Sequence, residues 1–303
     1  MIWALFFGMI ADALIGEPKW VWSRLPHPIV LIGKVISVAD KRLNNGKTRK
    51  TKGIIFLLFL IVFSGVFGRL LTELGGFIEF FCVTILIAQK SLADHVGEVA
   101  TSLRQSLEKG RYSVAQIVGR DTGEMDESQV ARAAIESAAE NFSDGVIAPI
   151  FWFLVAGLPG LLVYKSVNTA DSMIGYKTPD YRDFGWASAR YDDLLNWVPA
   201  RLTSLLIALA GSVLQHRHSI NRDAKLHRSP NAGWPEAAMA YALNVALAGP
   251  RSYDSQMQEF AWVNKGGNQA AKSHDIERTM RILWSSWKIA LVIVGIVAII
   301  VTF

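Results

Sequence analysis

The fold is decided by residues 54–71, which read IIFLLFLIVFSGVFGRLL. The run contains one charged residue, Arg69, and about 20 mostly apolar residues are enough for a helix to cross a bilayer. The stretch just before it, residues 41–52, carries six Lys or Arg side chains and no acidic one. Positive charge beside a span is typical of the cytoplasmic side. We therefore expect an integral membrane protein.

Further apolar runs lie on both sides of this segment. Residues 77–88 follow Gly75-Gly76 and predict the second arm of a helical hairpin, and residues 289–303 are uncharged to the end of the chain. The run 146–164 is interrupted by Leu158-Pro159-Gly160, which predicts a bent span or two short helices, because proline removes a backbone donor and clashes with the preceding turn. Residues 198–214 are a weaker candidate.

No alternating strand pattern persists, so the predicted fold class is all-α, a polytopic membrane protein with cytoplasm-facing polar loops and helices. We expect one membrane domain over residues 1–303. Within it, the polar helical segments 89–145 and 165–197 are predicted to form the active site. A polar region, residues 215–282, is expected before the last membrane helix.

Composition excludes several classes of protein. Charged residues make up 19% of the 303 residues, below the roughly 25% of soluble domains. The net charge of +5 is modest, and the basic residues are not interleaved with aromatic ones, so we expect no nucleic-acid partner. Cys82 is the single cysteine, and neither a zinc pattern nor a Walker phosphate loop is present.

The first polar cluster follows Gly119-Arg120-Asp121-Thr122. On a continuous helix Glu136, Glu140 and Asp144 would share one face, because they are four residues apart. Like charges at this spacing repel unless a cation lies between them. Mg²⁺ held by one or two carboxylates and substrate phosphates would provide it. The alternative is a solvated helix face.

Two more clusters adjoin apolar runs. Lys165, Asn168 and Asp171 share a helical face at the predicted membrane boundary, where ionisable groups are costly and often functional. The alternative is an interfacial Lys–Asp pair that anchors the helix. The adjacent Asp192 and Asp193 precede the next apolar run and suit metal or amine binding, although acidic residues also stabilise the first turn of a helix.

A fourth cluster, residues 227–236, has the sequence HRSPNAGWPE. It contains Ser229 and Asn231 in a polar turn before a predicted helix. Free N–H groups at a helix N-terminus bind anions, and spacing alone equally allows a simple capped helix start.

These clusters together resemble the adenosylcobinamide-phosphate synthase family of cobalamin biosynthesis. The resemblance covers nearly the whole chain and depends on the order and number of short matches. The densest of them are Gly119-Arg120-Asp121-Thr122, Ala139-Glu140-Asn141, Asp144-Gly145, Val167-Asn168-Thr169, Asp171-Ser172-Met173, Asp192-Asp193, Pro199-Ala200-Arg201 and Ser229-Pro230-Asn231. Glu17 stands where the family pattern has aspartate, and Ala248-Gly249-Pro250 replaces a double-glycine turn.

The resemblance implies a membrane-bound enzyme that forms an amide. The family joins a propionate carboxylate of adenosylcobyric acid, a corrinoid, to aminopropanol or its phosphate, and the reaction implies ATP and Mg²⁺. A carboxylate must first be phosphorylated or adenylated, because oxide is a poor leaving group. Arginines and a metal ion neutralise the phosphate charge in such a step.

Site residues follow from the matched positions. Expected catalytic residues are Glu136, Glu140, Lys165 and Asp193, with Glu136 and Asp193 as alternative general bases. Expected metal ligands are Asp144, Asp171 and Asp192. Binding of ATP and the other substrates is expected from Arg120, Asp121, Asn141, Asn168, Arg190, Arg201, Ser229 and Asn231.

Two other classes remain as alternatives: a transporter, since charges beside broken apolar segments are typical of transporters, and a non-catalytic membrane scaffold for corrinoid enzymes. We expect a multi-pass protein of the cytoplasmic (inner) membrane whose active site faces the cytoplasm and whose surface contacts membrane lipid. Self-association, or association with other cobalamin-assembly enzymes, is compatible with this expectation.

Overall fold

The computed structural model describes residues 1–253 and 256–303, and α-helices dominate them. In chain order the helices are α1 (Ile2–Ile15), α2 (Lys19–Trp22), α3 (Pro28–Leu43), α4 (Arg49–Glu73), α5 (Gly76–Leu86), α6 (Gln89–Gln105), α7 (Leu107–Ala115), α8 (Glu127–Phe142), α9 (Ala148–Ile174), α10 (Trp186–Leu195), α11 (Trp197–Ala210), α12 (Arg217–Ala224), α13 (Gly233–Leu243) and α14 (Ser273–Thr302). A π-helix, Ser143–Ile147, joins α8 to α9, and a 3₁₀ turn, Leu214–His216, precedes α12.

Two short antiparallel ribbons lie between α13 and α14. Strand β1 (Leu247–Ala248) pairs with β4 (Trp262–Val263), and β2 (Arg251–Tyr253) pairs with β3 (Gln256–Gln258). Asp254 and Ser255, within the predicted polar region 215–282, fall outside the described residues. Two- and three-residue strands are too short to show alternation, so the sequence did not predict them. The all-α fold class is confirmed.

Four helical segments of the described chain are long and apolar enough to cross a membrane: Arg49–Glu73, Gly76–Gln105, Glu127–Ile174 and Ser273–Thr302. The first is α4, which has 25 residues and so is about 37 Å long, more than the roughly 30 Å hydrocarbon core. Its large apolar side chains include several exposed ones, such as Leu58, Val62 and Phe63. An exposed apolar face of this length suits lipid contact, and the polytopic membrane class is confirmed.

The bend predicted near Pro159 is present in α9. The non-helical residues are Ala156 and Gly157, just before the proline, and Gly157 has a φ of 63°. The proline ring clashes with the carbonyl of the preceding turn, so the distortion falls there, and glycine accepts the positive φ without strain. Beyond the kink α9 continues to Ile174 and carries the second polar cluster on one helix.

The chain divides into two compact units. Unit 1 comprises residues 1–88, 148–197 and 294–303, and unit 2 comprises residues 89–147 and 198–293. The expected single membrane domain over 1–303 stays a prediction. The last helix begins at Ser273, so it takes in the final ten residues of the predicted polar region 215–282.

Unit 1 is built around α4 and α9, which pack on one another, with α3 and α10 against them and α1 against α5. Helices α4 and α9 approach closely at Gly68, where an added Cβ would lie 2.6 Å from the Cα of Pro159. Ser64 and Ser166 bond to each other across this contact, with 2.7 Å between their hydroxyl oxygens. The small residues therefore bring the kinked part of α9 against α4.

Unit 2 is built around α8, which packs against α6, α7 and α13. Its sequence, ESQVARAAIESAAENF, is rich in alanine, and Ala131, Ala134 and Ala138 are fully buried. Asp126 and Gln129 form a capping box at its start, which satisfies free N–H groups of the first turn. Small side chains let neighbouring elements approach closely, and Arg132, Glu136 and Ser137 are the buried polar residues of α8.

Candidate active site

The carboxylate of Glu136 is the centre of a buried charge cluster in unit 2. A guanidinium nitrogen of Arg120 lies 2.7 Å from Glu136 Oε2, and one of Arg251 lies 3.3 Å from Oε1. The backbone N–H of Ala248 also donates to Oε1, over 2.8 Å. Each carboxylate oxygen thus accepts a hydrogen bond, Oε2 from a guanidinium group and Oε1 from the backbone. Hydrogen bonds to an ionised carboxylate are among the stronger ones in proteins.

Three separate elements supply this cluster. Glu136 comes from the middle of α8, and Arg120 comes from the loop between α7 and α8. Arg251 begins β2, directly after a turn in which Ala248 and Gly249 have φ values of 60° and 73°. The turn aims the Ala248 N–H at Glu136, so the ribbon region completes the cluster.

A pocket of about 430 Å³ opens beside these groups. Its charged lining residues are Arg120, Asp121, Glu124, Arg132, Glu136 and Arg251. Arg132 is held by the carbonyl of Gln269, at 3.0 Å, and its guanidinium lies over the Trp262 ring. Guanidinium groups bind phosphate and carboxylate through paired N–H donors, so this pocket suits an anionic group.

A second cavity of about 300 Å³ shares part of this lining. It is bounded by Arg120, Glu136, Glu140, His227, Glu236 and Arg251, and also by Asn141. Burial raises the pKa of Glu236 well above its ordinary value, and the neighbouring Glu136 and Glu140 raise it further. Burial lowers the pKa of His227, and the positive charge of Arg251 lowers it further. A neutral imidazole therefore faces a carboxyl group that holds its proton readily.

In unit 1 a polar chain joins α9 to α10. Tyr164 donates to Asn196 (3.0 Å), Asn196 donates to Asp192 (2.9 Å), and Asn168 donates to the other oxygen of Asp192 (3.2 Å). The second and third sequence clusters thus meet at Asp192. Burial raises the pKa of Asp192 to about 6 despite these two amide hydrogen bonds.

The remaining predicted site residues of unit 1 lie on the two helices that this hydrogen-bonded chain joins, α9 and α10. Lys165 is buried and Asp171 half-buried on α9, while Arg190 is exposed on α10. Burial raises the pKa of Asp193, and the charges of Arg190 and Lys177 oppose that shift. The predicted helical face of Lys165, Asn168 and Asp171 lies on the continuous part of α9.

The fourth cluster forms the turn before α13 in unit 2. Arg201 donates to Asn231 over 3.3 Å, and its guanidinium lies over the Trp234 ring. Ser229 Oγ accepts from the backbone N–H groups of Asn231 and Ala232, both at 3.2 Å. These contacts give Ser229 and Asn231 a structural role in the turn, and their predicted role in ligand binding stays a prediction.

The predicted site residues fall into both units. Unit 2 brings together Arg120, Asp121, Glu136, Glu140 and Asn141, which line one or both cavities. Unit 1 brings together Asn168 and Asp192, with Lys165, Asp171, Arg190 and Asp193 on the same two helices. Ser229 and Asn231 lie in the separate turn described above, which Arg201 of α11 contacts.

The expected row of Glu136, Glu140 and Asp144 on one continuous α-helix is wrong in one respect. Helix α8 ends at Phe142, and Asp144 lies in the π-helix that follows. A π-helix has a wider turn, so Asp144 is displaced from the row that Glu136 and Glu140 begin.

The metal ligands stay a prediction. No group of three His, Cys, Asp or Glu side chains that could hold a metal ion is found in residues 1–253 and 256–303. Mg²⁺ is commonly held by one or two carboxylates of a protein together with oxygens of a substrate. Asp144, Asp171 and Asp192 are the residues predicted for that role.

Sequence reasoning did not select Arg251, and it assigned no role to His227 and Glu236, which lie in the fourth cluster. Arg251 reaches Glu136 over a separation of 115 positions, which spacing along one helix cannot reveal. Glu236 is the one acidic residue among the apolar and small residues of α13, and it is 2% exposed. An acid in such a segment was the signal that could have drawn attention to it.

Comparison with known proteins assigns the chain to a family. The family model described as CobD/Cbib protein matches residues 5–283. Proteins named "Cobalamin biosynthesis protein CobD" are similar along almost the full length: 49% identity in Sinorhizobium sp, with 93% of each chain covered, and 41% in Halalkalibacterium halodurans, with 92% of this chain and 91% of the relative covered. No solved structure matches. The chain therefore belongs to the CobD/Cbib family of cobalamin biosynthesis.

Proposed function

We propose that this protein is an ATP-dependent amide ligase of the cobalamin pathway. It would join a propionate carboxylate of adenosylcobyric acid to aminopropanol or aminopropanol phosphate, giving adenosylcobinamide or its phosphate. The proposal rests on the family and on one observation in unit 2: Arg120, Arg132 and Arg251 line a single pocket around a buried glutamate.

The arginines fit the chemistry of carboxylate activation. A carboxylate becomes a good acyl donor only after a phosphoryl or adenylyl group is attached, and the developing negative charge must then be stabilised. Arg120 and Arg251 are held in place by Glu136, at 2.7 and 3.3 Å, so their donors are oriented before any ligand arrives. Preorganised donors of this kind are worth more than mobile ones, because they need no reorganisation during the reaction.

ATP and Mg²⁺ are part of the proposal. ATP would supply the phosphoryl or adenylyl group, and Mg²⁺ would neutralise phosphate charge. Asp121 and Glu124 border the arginine-lined pocket and offer carboxylate oxygens, the ligands that Mg²⁺ prefers. Asp144, Asp171 and Asp192 are the further candidate ligands from the sequence.

The contacts favour a positioning role for Glu136. Its two oxygens accept hydrogen bonds from Arg120 and the Ala248 N–H and are ion-paired with Arg251, so a substrate proton would have to compete with these groups. Glu140 is exposed, lines the 300 Å³ cavity, and is the better candidate in unit 2 for direct contact with a substrate. In unit 1 Lys165 and Asp193 keep their proposed catalytic roles.

The proposed location is the cytoplasmic membrane with the site facing the cytoplasm, where ATP is available. The six basic residues in 41–52, just before α4, support this orientation by the positive-inside rule.

The experiment that tests the proposal is a mass-spectrometric assay on detergent-purified protein. Adenosylcobyric acid, aminopropanol or its phosphate, ATP and Mg²⁺ are incubated together, with each omitted in turn. We expect a corrinoid product heavier by the amine minus water, formed only when ATP is present. Folded protein that yields no product with either amine would refute the ligase and favour the scaffold alternative.

A further inference from the structure

The 300 Å³ cavity in unit 2 contains an acidic group that the proposed activation chemistry does not use. Glu236 lines this cavity, is 2% exposed, and its Oε2 has no hydrogen-bond partner within the described structure. A buried carboxyl oxygen without a partner loses its hydrogen bonds to water and forms none in the protein to replace them, which is unfavourable. Such a group in a cavity points to a ligand that donates a hydrogen bond.

The other oxygen of Glu236 is oriented by His227. The Ser229 backbone N–H donates to His227 Nδ1 over 3.0 Å, so the neutral ring carries its proton on Nε2. That nitrogen lies 3.6 Å from Glu236 Oε1. The turn before α13 thus fixes the ring, the ring faces Oε1, and Oε2 is left for another donor.

The charge of the cavity fits the exchange of the Glu236 proton for a cation. Arg120 and Arg251 contribute two positive charges, while Glu136, Glu140 and Glu236, if all ionised, contribute three negative ones; His227 is neutral. Both arginines are paired with Glu136, and in the empty cavity the proton held by Glu236 balances the lining charges. When Glu236 ionises, one additional positive charge restores that balance.

The size of the cavity restricts the ligand. A volume of about 300 Å³ lies at the lower end of small-molecule pockets and is far too small for a corrinoid macrocycle. A compact molecule with one ammonium group and a few carbon atoms fits both the volume and the charge.

We infer that this cavity binds the primary ammonium group of a small amine substrate, with Glu236 Oε2 accepting its hydrogen bond. The inference rests on the proposed function for the identity of the amine, namely aminopropanol or its phosphate. It adds the place where that amine is bound and the residue that recognises it.

Binding of the amine in this cavity is expected to release a proton. The pKa of Glu236 is raised by burial and by Glu136 and Glu140, so in the empty cavity its carboxyl group is protonated between its ordinary pKa and the raised one. An ammonium ion stabilises the carboxylate and lowers that pKa. In this pH window binding therefore releases a proton from Glu236 to the buffer.

The test is calorimetric titration of the detergent-purified full chain with aminopropanol phosphate, in buffers of different ionisation enthalpy. Propanediol phosphate, which has a hydroxyl in place of the amine, is the matched ligand. We expect the wild-type chain to prefer the amine and to release up to one proton. Glu236→Gln should lose the preference by about tenfold to a hundredfold, the worth of a hydrogen bond to a charged group, and should release no proton.

Controls separate the site from the fold and from the proposed activity. Glu108→Gln removes an exposed acid at the start of α7 and should bind like the wild type. Glu236→Asp keeps the charge and should retain proton release with weaker affinity. Wild-type binding without proton release, or an unchanged preference in Glu236→Gln, overturns the inference. Amide product with an unchanged Glu236→Gln preference refutes this site alone, whereas proton-releasing binding without any product refutes the ligase and leaves the amine site standing.

Discussion

Glu136 in unit 2 and Asp192 in unit 1 are both buried carboxylates in the middle of helical packing, yet they are stabilised differently. Glu136 is paired with two guanidinium groups and a backbone N–H. Asp192 accepts hydrogen bonds from the neutral amides of Asn168 and Asn196. The comparison shows that burial alone does not assign a role: the first acid is fixed as an anion that holds arginines, and the second is poised to gain or lose a proton near neutral pH.

The largest expected effect comes from breaking the charge cluster. Glu136→Gln removes the charge that compensates Arg120 and Arg251, both of which are largely buried around it. Removing one partner of a buried ion pair typically costs about 3–5 kcal/mol. We expect the free energy of unfolding to fall by that order and ligase activity to disappear, measured by denaturant unfolding in detergent and by product yield.

The matched control for this variant is Glu127→Gln, an exposed acid in the first turn of the same helix. Surface substitutions usually stay within about 0.5 kcal/mol. Equal stabilities of Glu136→Gln and Glu127→Gln would contradict the view that the buried cluster holds α8 in place.

The pH dependence of the free energy of unfolding tests Asp192, the second carboxylate of the comparison. The folded pKa of Asp192, about 6, is raised above its ordinary value of 3.8, so the folded state binds more protons between these values. Its contribution to stability is therefore full below pH 4 and is lost as the pH rises to 6, by on the order of 1–3 kcal/mol. Asp192→Asn should remove this part of the pH dependence, measured as the difference in unfolding free energy between variant and wild type from pH 4 to 7.

Asp180→Asn is the control for that titration, because Asp180 is exposed in the loop before α10. It should follow the wild-type curve. If the curves of Asp192→Asn and the wild type run parallel over the whole range, Asp192 does not carry the raised pKa.

A smaller loss of stability is expected at Tyr164, the first residue in the hydrogen-bonded chain from Tyr164 through Asn196 to Asp192. Tyr164→Phe removes the hydroxyl that donates to Asn196, while the ring stays in its fully buried place. Loss of one neutral hydrogen bond costs about 1 kcal/mol. Thermal unfolding should show a loss of this size, and the pH dependence due to Asp192 should persist because both of its amide donors remain. A loss as large as that of Glu136→Gln would mean that the hydrogen-bonded chain of Tyr164, Asn196 and Asp192 stabilises the protein as much as the charge cluster around Glu136.

The sequence predicted the parts of the fold that depend on local pattern. The spans at 54–71 and 289–303 follow from continuous apolar runs, and the bend near Pro159 follows from proline geometry. The π-helix at Ser143–Ile147 was not predicted, because one wider turn leaves no periodic signature. The predicted helical faces were correct only where the helix was continuous, as at Lys165 to Asp171.

The candidate site was predicted as far as its residues lie on one helix or in one loop. Arg120 and Glu136 were selected from their clusters, but their partner Arg251 comes from a β-ribbon that the sequence did not reveal. Glu236 lies in the fourth cluster but was assigned no role, because its significance depends on a cavity formed by α8, α13 and the ribbon region. Contacts between distant segments are tertiary information, and spacing within one segment does not contain it.

The central claim is that the arginine-lined pocket of unit 2 carries out ATP-dependent amide formation. The most direct test is the rate of product formation by Arg120→Gln, compared with Arg104→Gln, which breaks an exposed ion pair with Glu277 outside the pocket. We predict a loss of about 10²–10³-fold for Arg120→Gln, as expected for one preorganised charge stabiliser, and a near wild-type rate for Arg104→Gln. Folded Arg120→Gln protein that forms the amide at the wild-type rate would contradict the account.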